Sequence, residues 1–374
     1  MARKTQSQGV PLLDLHAHFP MHSKFPPRLT AGAPPIGKEL EFWAANMLLN
    51  FQGGTPRMSL AEFLAGAGGG VASVLYDPED EFFRDATPVP EAFGHLLAQM
   101  ENVETEVAGS VTVVRNPAQL RRCLRGTGEK FLFHAVEGAF SLGGDAGNVD
   151  VLARRGVAYV IVAHLFFRGV ATCENALPFV PDSVFQSVLN PQQDPAVGLT
   201  DLGRRIVRGL MDHGILVDIT HCTQRAQAEI FQLARDHGNA PVISSHTGVR
   251  GTSDYPLNLT REAVRQIAAS KGVVGLILAT HWLRQPREQI FGPDGYQLLF
   301  NAIDCVHDWT GSYDHIAVGS DLDGFIQPIK PCGNYAETPA LVEAIRAKYP
   351  GAAERILYAN ALEVLERGWK GAAP

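Results

Sequence analysis

The stretch GLTDLGRRIVRGLMDHGILVDITHC, residues 198–222, contains one complete helix followed by one complete strand. Thr200 is a typical N-cap residue, and Gly214 is of the type that most often follows the end of a helix. Between them, apolar residues recur at helical spacing, at Leu202, Ile206, Val207 and Leu210. The stretch therefore predicts a capped helix that returns the chain to a buried strand, which is the repeating unit of an α/β fold.

The same unit recurs along the chain. Eight apolar runs of strand length occur, at Pro11–His18, Val71–Asp77, Phe131–Glu137, Val157–His164, Ile215–His221, Pro241–His246, Val273–Thr280 and His315–Asp321. Thr223 and Thr260 begin two further helices, each followed by a glycine near its predicted end. Nearly continuous apolar runs are typical of strands buried on both faces of a parallel sheet. Eight strand–helix units predict a (β/α)8 TIM-type barrel, with its functional site at the carboxyl ends of the strands.

Two long segments interrupt the alternation of strands and helices. Residues 20–57 are rich in Pro and Gly, with a short helix predicted at 38–50, and residues 166–199 follow the fourth run. Loops of this length inside a compact domain are usually functional, so we expect both near the active-site mouth. No low-complexity linker divides the chain, and residues 1–374 are interpreted as a single barrel domain.

Composition excludes several classes of protein. Of the 374 residues, 45% are hydrophobic and 19% charged, which is ordinary for a globular core and argues against disorder. A net charge of −7 argues against binding to nucleic acid or to an anionic membrane surface. No apolar run approaches the roughly 18 residues that span a bilayer, and the N-terminal residues contain no apolar core typical of a signal peptide. These features, and five cysteines without a CxxC pair, predict a cytoplasmic protein without a disulfide framework.

Ionisable residues end five of the predicted strands. His16 and His18 form an HxH pair, whose side chains point to the same side of an extended strand. The other four candidates are Glu137, His221, His246 and Asp321. Because barrel strands end at one mouth, these side chains are expected to gather there, where imidazoles and carboxylates suit zinc. Six candidate ligands exceed the about three protein ligands of one catalytic zinc, so the sequence predicts two zinc ions.

The same residues suggest a hydrolytic mechanism. Glu137 has two oxygens and could bridge two ions, and a hydroxide shared between the ions would be the nucleophile. Asp321 is expected mainly to pass a proton, and otherwise to bind a metal. His164 ends the fourth run and is expected to polarise a substrate carbonyl; the alternative is a buried structural histidine. Hydrolysis of a small amide is the predicted reaction.

The chemical residues lie in segments that together resemble one known family. These segments are DLHAH (14–18), HAVEG (134–138), VAHLFFRGVATCENALP (162–178), the stretch 198–222, PVISSHTG (241–248), VGSDLDG (318–324) and ANALEVLER (359–367). In this order they resemble the membrane dipeptidase family (renal dipeptidase, peptidase M19) of metal-dependent amidohydrolases. The resemblance implies a (β/α)8 barrel with two zinc ions that hydrolyses dipeptides, with β-lactams opened by some members and a homodimer as the precedent.

Residue roles also follow from the resemblance. It implies that His16 and His18 bind the first metal, that Glu137 bridges, and that His221 and His246 bind the second. His164 would contact the substrate carbonyl, and Asp321 would be the acid and base.

Two positions depart from the family pattern. The family motif is usually His-x-Asp, and His18 stands here in place of the aspartate. The family has an Arg-Asn pair after the sixth strand, whose arginine clamps the terminal carboxylate of the substrate. Here the pair is Leu257–Asn258, and leucine cannot make that contact. Arg250 or Arg168 could substitute, so His164, Arg250 and Asn258 are the predicted substrate-binding residues.

Two alternatives to a dipeptidase remain open. One is another amidohydrolase activity, on N-acyl amino acids, lactones or β-lactams. The other is a metal-binding barrel without turnover, which the presence of Asp321 and His164 disfavours because a structural site needs neither. We therefore predict a metal-dependent dipeptidase whose partners are small peptides or amides, with neither nucleic acid nor membrane.

Overall fold

The computed structural model describes residues 12–23, 56–82, 90–125, 129–177, 180–285 and 294–372. The helix predicted at 38–50, and most of the long segment 20–57, lie outside these residues. Within the described ranges, no helix is long and apolar enough to cross a bilayer.

The described strands form one parallel sheet. They are β1 (Leu12–Ala17), β2 (Gly68–Leu75), β3 (Thr112–Val113), β4 (Phe131–Glu137), β5 (Tyr159–Ile161), β6 (Leu216–Asp218), β7 (Val242–Thr247), β8 (Val274–Leu276) and β9 (Ile316–Val318). Eight of them follow the order β1-β2-β4-β5-β6-β7-β8-β9, and each overlaps one of the eight predicted runs. The predicted (β/α)8 barrel is confirmed.

Hydrogen bonds between the last strand and the first close the barrel. The amide of Asp321 donates to the carbonyl of His16 at 2.8 Å, and the amide of His18 donates to the carbonyl of Leu322 at 2.9 Å. Both bonds lie where β1 and β9 end, at the carboxyl-terminal mouth. Closure of the barrel therefore brings the motif that contains His16 and His18 next to the motif that contains Asp321.

One strand was not predicted. β3 pairs with β4 at Phe131 and Leu132, but it contributes only Thr112 and Val113. Two residues are too few to show a period of two, so the sequence contains no recognisable strand pattern at this point.

Helices surround the sheet. They are α1 (Leu60–Ala65), α2 (Pro78–Phe82), α3 (Glu91–Glu106), α4 (Pro117–Arg125), α5 (Asn148–Arg155), α6 (Asp182–Val184), α7 (Asp201–His213), α8 (Gln224–Asp236), α9 (Arg261–Ala269), α10 (Thr280–Leu283), α11 (Tyr296–Thr310), α12 (Thr338–Lys348) and α13 (Asn360–Gly368). Short 3₁₀ turns occur at Phe19–Ser23, Ala139–Leu142 and Tyr335–Glu337, and π turns at Phe185–Leu189 and Arg355–Ala359.

The helix caps read from the sequence are present. The hydroxyls of Thr200, Thr223 and Thr260 each accept a hydrogen bond from the backbone amide three residues later, at 3.0, 3.2 and 3.2 Å. Gly214 ends α7 in the left-handed conformation, with φ of 66°. These caps satisfy backbone groups that would otherwise lack partners, and they set where each helix begins.

The end of α9 differs from the expectation of a glycine cap. Lys271, with φ of 60°, takes the left-handed conformation there, and Gly272 follows it. A Cβ at Gly272 would collide with the carbonyl oxygen of Val242 in β7. This glycine therefore serves the close approach of helix and strand rather than the turn itself.

Candidate metal centre and active site

The predicted ligands all lie at the carboxyl-terminal mouth of the barrel. The six are His16 within β1, His18 directly after it, Glu137 at the end of β4, His221 three residues after β6, His246 within β7, and Asp321 three residues after β9. Each of the six is at most 5% exposed. Residues far apart in the chain thus form one buried group because parallel barrel strands end on the same side.

Two of these residues have strained backbones. His221 has φ of 66° and Asp321 has φ of 58°, in the left-handed region that non-glycine residues rarely adopt. Each lies three residues after the end of a strand, in the segment that leaves the sheet at the mouth. Such conformations persist where surrounding structure enforces them, and they cluster at functional sites.

Glu137 lies at the centre of the group. Its Oε2 is 3.1 Å from Nε2 of His18 and 3.4 Å from Nε2 of His164. Its Oε1 is 3.5 Å from Nε2 of His221 and 3.7 Å from Nε2 of both His16 and His246. Both oxygens are buried and neither has a hydrogen-bond partner among the described residues. A buried carboxylate without a donor requires positive charge nearby, which metal ions between it and the imidazoles would supply.

The imidazoles form two pairs around this carboxylate. Nε2 of His16 lies 3.4 Å from Nε2 of His18, and Nε2 of His221 lies 3.2 Å from Nε2 of His246. Ring nitrogens that converge in this way, with carboxylate oxygens beside them, are the donor set of a zinc site. His16, His18 and Asp321 form one such group, and Glu137 with His16 and His246 forms another. The residues present fit a metal centre.

Hydrogen bonds behind the rings set the orientation of two histidines. The hydroxyl of Ser245 lies 3.0 Å from Nδ1 of His16 and 3.2 Å from Nδ1 of His246. The amide of Ser245 in turn donates to the carboxylate of Asp218 at 3.1 Å. Partners on Nδ1 turn Nε2 toward the centre of the site, which is how metal-binding histidines are usually held.

The charges of the site follow from burial and proximity. Burial alone would lower the pKa of His18, but the carboxylates of Glu137 and Asp321 raise it to about 10. Burial raises the pKa of Asp321 to about 7, and the contact with His18 offsets only part of this effect. Burial lowers the pKa of His16 and of His246 well below the usual range, which favours the neutral rings that bind metals.

His164 lies on the same mouth, as predicted. Its ring makes edge contacts with Tyr76 and His221, at centroid distances of 4.5 and 4.6 Å. Its Nε2 faces Glu137 and the cavity described next. A proton on this atom would point to the region where a substrate carbonyl would lie.

A cavity opens over the metal ligands. Apart from the metal ligands, the residues that line it are mostly apolar: Leu165, Ala176, Trp282, Phe325 and Ile326. Trp282 lies 5.8 Å from the ring centroids of both His221 and His246, so it adjoins the metal ligands directly. A substrate group placed against this wall would be apolar.

The structure does not bring Arg250 or Asn258 to this cavity. Nε of Arg250 donates to the carbonyl of Asn258 at 3.0 Å, and its Nη2 donates to that of Pro256 at 2.7 Å. The amide nitrogen of Asn258 donates to the carbonyl of Trp282 at 2.7 Å and to that of Ser253 at 2.9 Å. Asn258 thus supports the residue that forms the cavity wall, and Arg250 braces the loop that carries Asn258.

The guanidinium of Arg168 is also held by backbone carbonyls. Its Nε donates to the carbonyl of Glu81 at 2.9 Å and its Nη1 to that of Phe167 at 3.0 Å. Among the described residues that line the cavity, none is an arginine or a lysine.

Sequence analysis missed several residues that support the site. Asp14 accepts from the amides of His16 and Ser320, at 3.1 and 2.9 Å, and its position two residues before His16 was a usable signal. Asp218 and Ser245 stand close to His221 and His246 in the sequence, but nothing local shows which atoms they contact. Glu81 is not part of any recognisable motif, so no local signal marks it.

A closed barrel with buried imidazoles and carboxylates gathered at its carboxyl-terminal mouth defines the class of metal-dependent hydrolases. The sequence profile of the membrane dipeptidase family (peptidase family M19) matches residues 7–370. The chain belongs to this family, a family of metal-dependent dipeptidases, as the sequence resemblance predicted.

Curated relatives are distant. A protein of Klebsiella pneumoniae, described as uncharacterised and encoded in the pqqA 5′ region, is 26% identical over 73% of this chain and 95% of its own length. The dipeptidase tcpJ of Claviceps purpurea is 25% identical over 62% of this chain. An uncharacterised dipeptidase of Schizosaccharomyces pombe is 26% identical over 55% of this chain. The matches cover only 49% and 45% of the last two relatives.

Solved structures share the fold. The dipeptidase AC, a metallopeptidase of family M19, has a TM-score of 0.73 at 23% identity, over 97% of this chain and 99% of its own. A metallopeptidase from Rhodobacter sphaeroides, liganded with a phosphinate mimic of the dipeptide L-Ala-D-Ala, has a TM-score of 0.73 at 22% identity, over 96% of this chain and all of its own. At this identity the likeness supports the barrel.

Proposed function

We propose that this chain is a zinc-dependent hydrolase of small amides whose substrates are dipeptides. The observation that carries the proposal is the position of Glu137, whose two buried oxygens face the Nε2 atoms of both imidazole pairs and of His164. Family membership adds that the relatives with this barrel are metallopeptidases.

The chain offers ligands for two ions. His16 and His18 would hold one, His221 and His246 the other, and Glu137, whose oxygens lie within 3.7 Å of all four rings, would be a ligand shared by both. Zinc bound there would polarise a substrate carbonyl and lower the pKa of a water molecule, so that hydroxide is available to attack near neutral pH. Asp321, whose Oδ1 is 3.3 Å from Nε2 of His18, is close enough to serve as a further ligand.

Two residues of the chain would handle the proton and the carbonyl. The Asp321 carboxyl, whose pKa burial raises to about 7, is suited to take a proton and return it to the leaving amine near neutral pH. The Nε2 of His164 faces the cavity and would donate to the carbonyl oxygen as negative charge develops on it.

The cavity suggests the kind of dipeptide. Its wall of Trp282, Phe325 and Ile326 would exclude water and receive an apolar side chain. The ligand of the Rhodobacter sphaeroides relative is a phosphinate mimic of the dipeptide L-Ala-D-Ala, which includes a D-residue. This ligand supports a small dipeptide as the substrate.

Location and assembly are also proposals. All five cysteines are free, which is typical of a reducing compartment and supports a cytoplasmic protein. The family resemblance supports a homodimer, which light scattering coupled to gel filtration would test.

The function is tested with purified, zinc-loaded protein. Its metal content is measured, and L-L, L-D and N-acyl dipeptides and simple lactones are assayed. We expect about two zinc ions per chain and turnover of free dipeptides. Asp321→Asn should lower kcat by about 10²-fold or more, because it removes the proton carrier.

A matched control makes the loss specific. Asp314→Asn is the same substitution on an exposed residue just before β9, at the opposite end of the barrel, and it should leave turnover unchanged. A protein without transition metal, or one that hydrolyses N-acyl amino acids or lactones but no free dipeptide, would contradict the proposal.

A further inference from the structure

Glu81 is a buried carboxylate that the metal site does not use. It lies in α2 and is fully buried. Its Oε2 accepts hydrogen bonds from Nδ1 of His164 and from the hydroxyl of Tyr76, both at 2.7 Å. Its Oε1 accepts from the backbone amide of Phe166 at 2.9 Å. Both oxygens are thus satisfied, and one of them is aimed at the ring that faces the substrate cavity.

The hydrogen bond from Nδ1 to Glu81 sets the orientation of the His164 ring. Because Nδ1 donates its hydrogen bond to Glu81, only Nε2 of the ring is available to the cavity, 3.4 Å from Oε2 of Glu137. Tyr76 stands edge-on to the ring at 4.5 Å, and with the hydrogen bond it holds the ring plane. A carboxylate behind an imidazole has this effect in other hydrolases, where it orients a catalytic histidine and stabilises its protonated ring.

We propose that Glu81 is the positioning residue of His164, fixing its ring so that a proton on Nε2 points at the carbonyl oxygen of the substrate. The inference rests on the proposed function, in which His164 acts on that carbonyl. Glu81 touches neither the substrate nor the ligand atoms of the metal site, and its whole effect on the reaction passes through His164.

The electrostatics agree with this geometry. Burial would raise the pKa of Glu81, and His164 lowers it instead. Glu81 therefore remains charged, and it favours a ring that keeps a proton on both nitrogens.

A structural role is the competing interpretation. Glu81 also anchors the start of the segment after β5, through the amide of Phe166 and through its carbonyl, which binds Arg168. Glu81→Gln separates the two roles. Glutamine has nearly the same shape and leaves the backbone carbonyl in place. It can keep the Phe166 bond only by turning its amide nitrogen toward His164, which makes Nδ1 an acceptor and leaves a neutral ring whose Nε2 proton is a weaker donor to the carbonyl oxygen.

The kinetic test compares Glu81→Gln with wild type, both loaded with zinc. We expect kcat to fall by about 10- to 100-fold while KM changes by less than about twofold and the zinc content is unchanged. Glu79→Gln is the matched control, because it makes the same change on an exposed residue of the same helix. A loss of zinc, or a rise in KM with unchanged kcat, would overturn the proposal.

A double-mutant cycle tests whether Glu81 acts through His164. In a His164→Asn background, Glu81→Gln should cause no further loss of kcat, because the ring that it orients is gone. Losses that multiply in the double variant would show that Glu81 acts independently and would contradict the inference.

A spectroscopic measurement keeps the inference separate from the choice of substrate. The Nδ1 proton of His164, bonded to a carboxylate, should give a downfield proton resonance that is absent in His164→Asn. In Glu81→Gln it should vanish or move upfield, and in Glu79→Gln it should persist. An unchanged resonance in Glu81→Gln sinks the proposal. If wild type hydrolyses no dipeptide but the resonance behaves as expected, the proposed substrate is wrong and the positioning contact stands.

Discussion

At the scale of single residues, Glu137 sets the electrostatics of the site. Burial alone would raise its pKa, yet the imidazoles of His164, His18 and His16 lower it well below the usual range. A charged carboxylate in this position needs positive charge to be stable. His18 supplies that charge as a proton, and a metal ion would supply it as a cation, so protons and metal compete for the same place.

Zinc binding should therefore release protons. The pKa of His18 is about 10 when its partners are Glu137 and Asp321, and a metal ligand must be a neutral imidazole. At any pH below that value the proton must leave, so zinc affinity should rise with pH and weaken as pH falls. Calorimetric titration in buffers of different ionisation enthalpy should show about one proton released from His18 near neutral pH.

Two variants test whether His18 is the source of the released proton. His18→Asn should lower the count of released protons by about one, whereas His237→Asn, on an exposed residue, should not. An equal proton count with and without His18 would mean that another group carries the charge.

At the scale of elements, local patterns predicted most of the framework. The capped unit at residues 198–222 folds as read, with Thr200 beginning α7 and Gly214 ending it. The apolar runs became strands because residues buried on both faces of a sheet must be apolar throughout. β3 was not predicted because it is two residues long, and Lys271, rather than the expected glycine, takes the left-handed conformation after α9.

The cap of α7 should contribute measurably to the stability of the protein. Thr200→Ala should lower the free energy of unfolding by about 1–2 kcal/mol, because it removes the bond to the amide of Gly203 and the bond that the hydroxyl donates to the carbonyl of Gly169. Thr200→Ser, which keeps the hydroxyl, should lose less than half of this amount. Urea denaturation measures both, and equal losses in the two variants would refute a hydrogen-bonded cap.

At the scale of the whole molecule, the site and the barrel stabilise each other. The proposed ligands come from β1, β4 and β7 and from the turns after β6 and β9, which lie on several sides of the mouth. Metal ions held by these side chains would cross-link strands that are distant in sequence. The native state would bind zinc far more tightly than the unfolded chain, so zinc should stabilise the fold.

Removal of zinc should therefore lower Tm. Treatment with a chelator is expected to destabilise the protein by about 4 kcal/mol relative to zinc at about a thousand times its Kd, and zinc should restore the loss. His246→Ala should reduce this gain, whereas His237→Ala should leave it intact. Thermal unfolding with and without zinc measures the difference, and equal Tm values in the two states would contradict a bound metal.

The sequence by itself determined the barrel and the identity of the residues at its mouth. Strand and helix periods and helix caps depend on neighbouring residues, so they can be read locally. Only the tertiary structure decided which partner each polar group takes. Arg250 and Asn258, expected at the substrate, are held by backbone carbonyls, and Glu81, which no motif marked, lies behind His164. The physical reason is that a hydrogen bond depends on where two distant segments meet, and no local pattern records that distance.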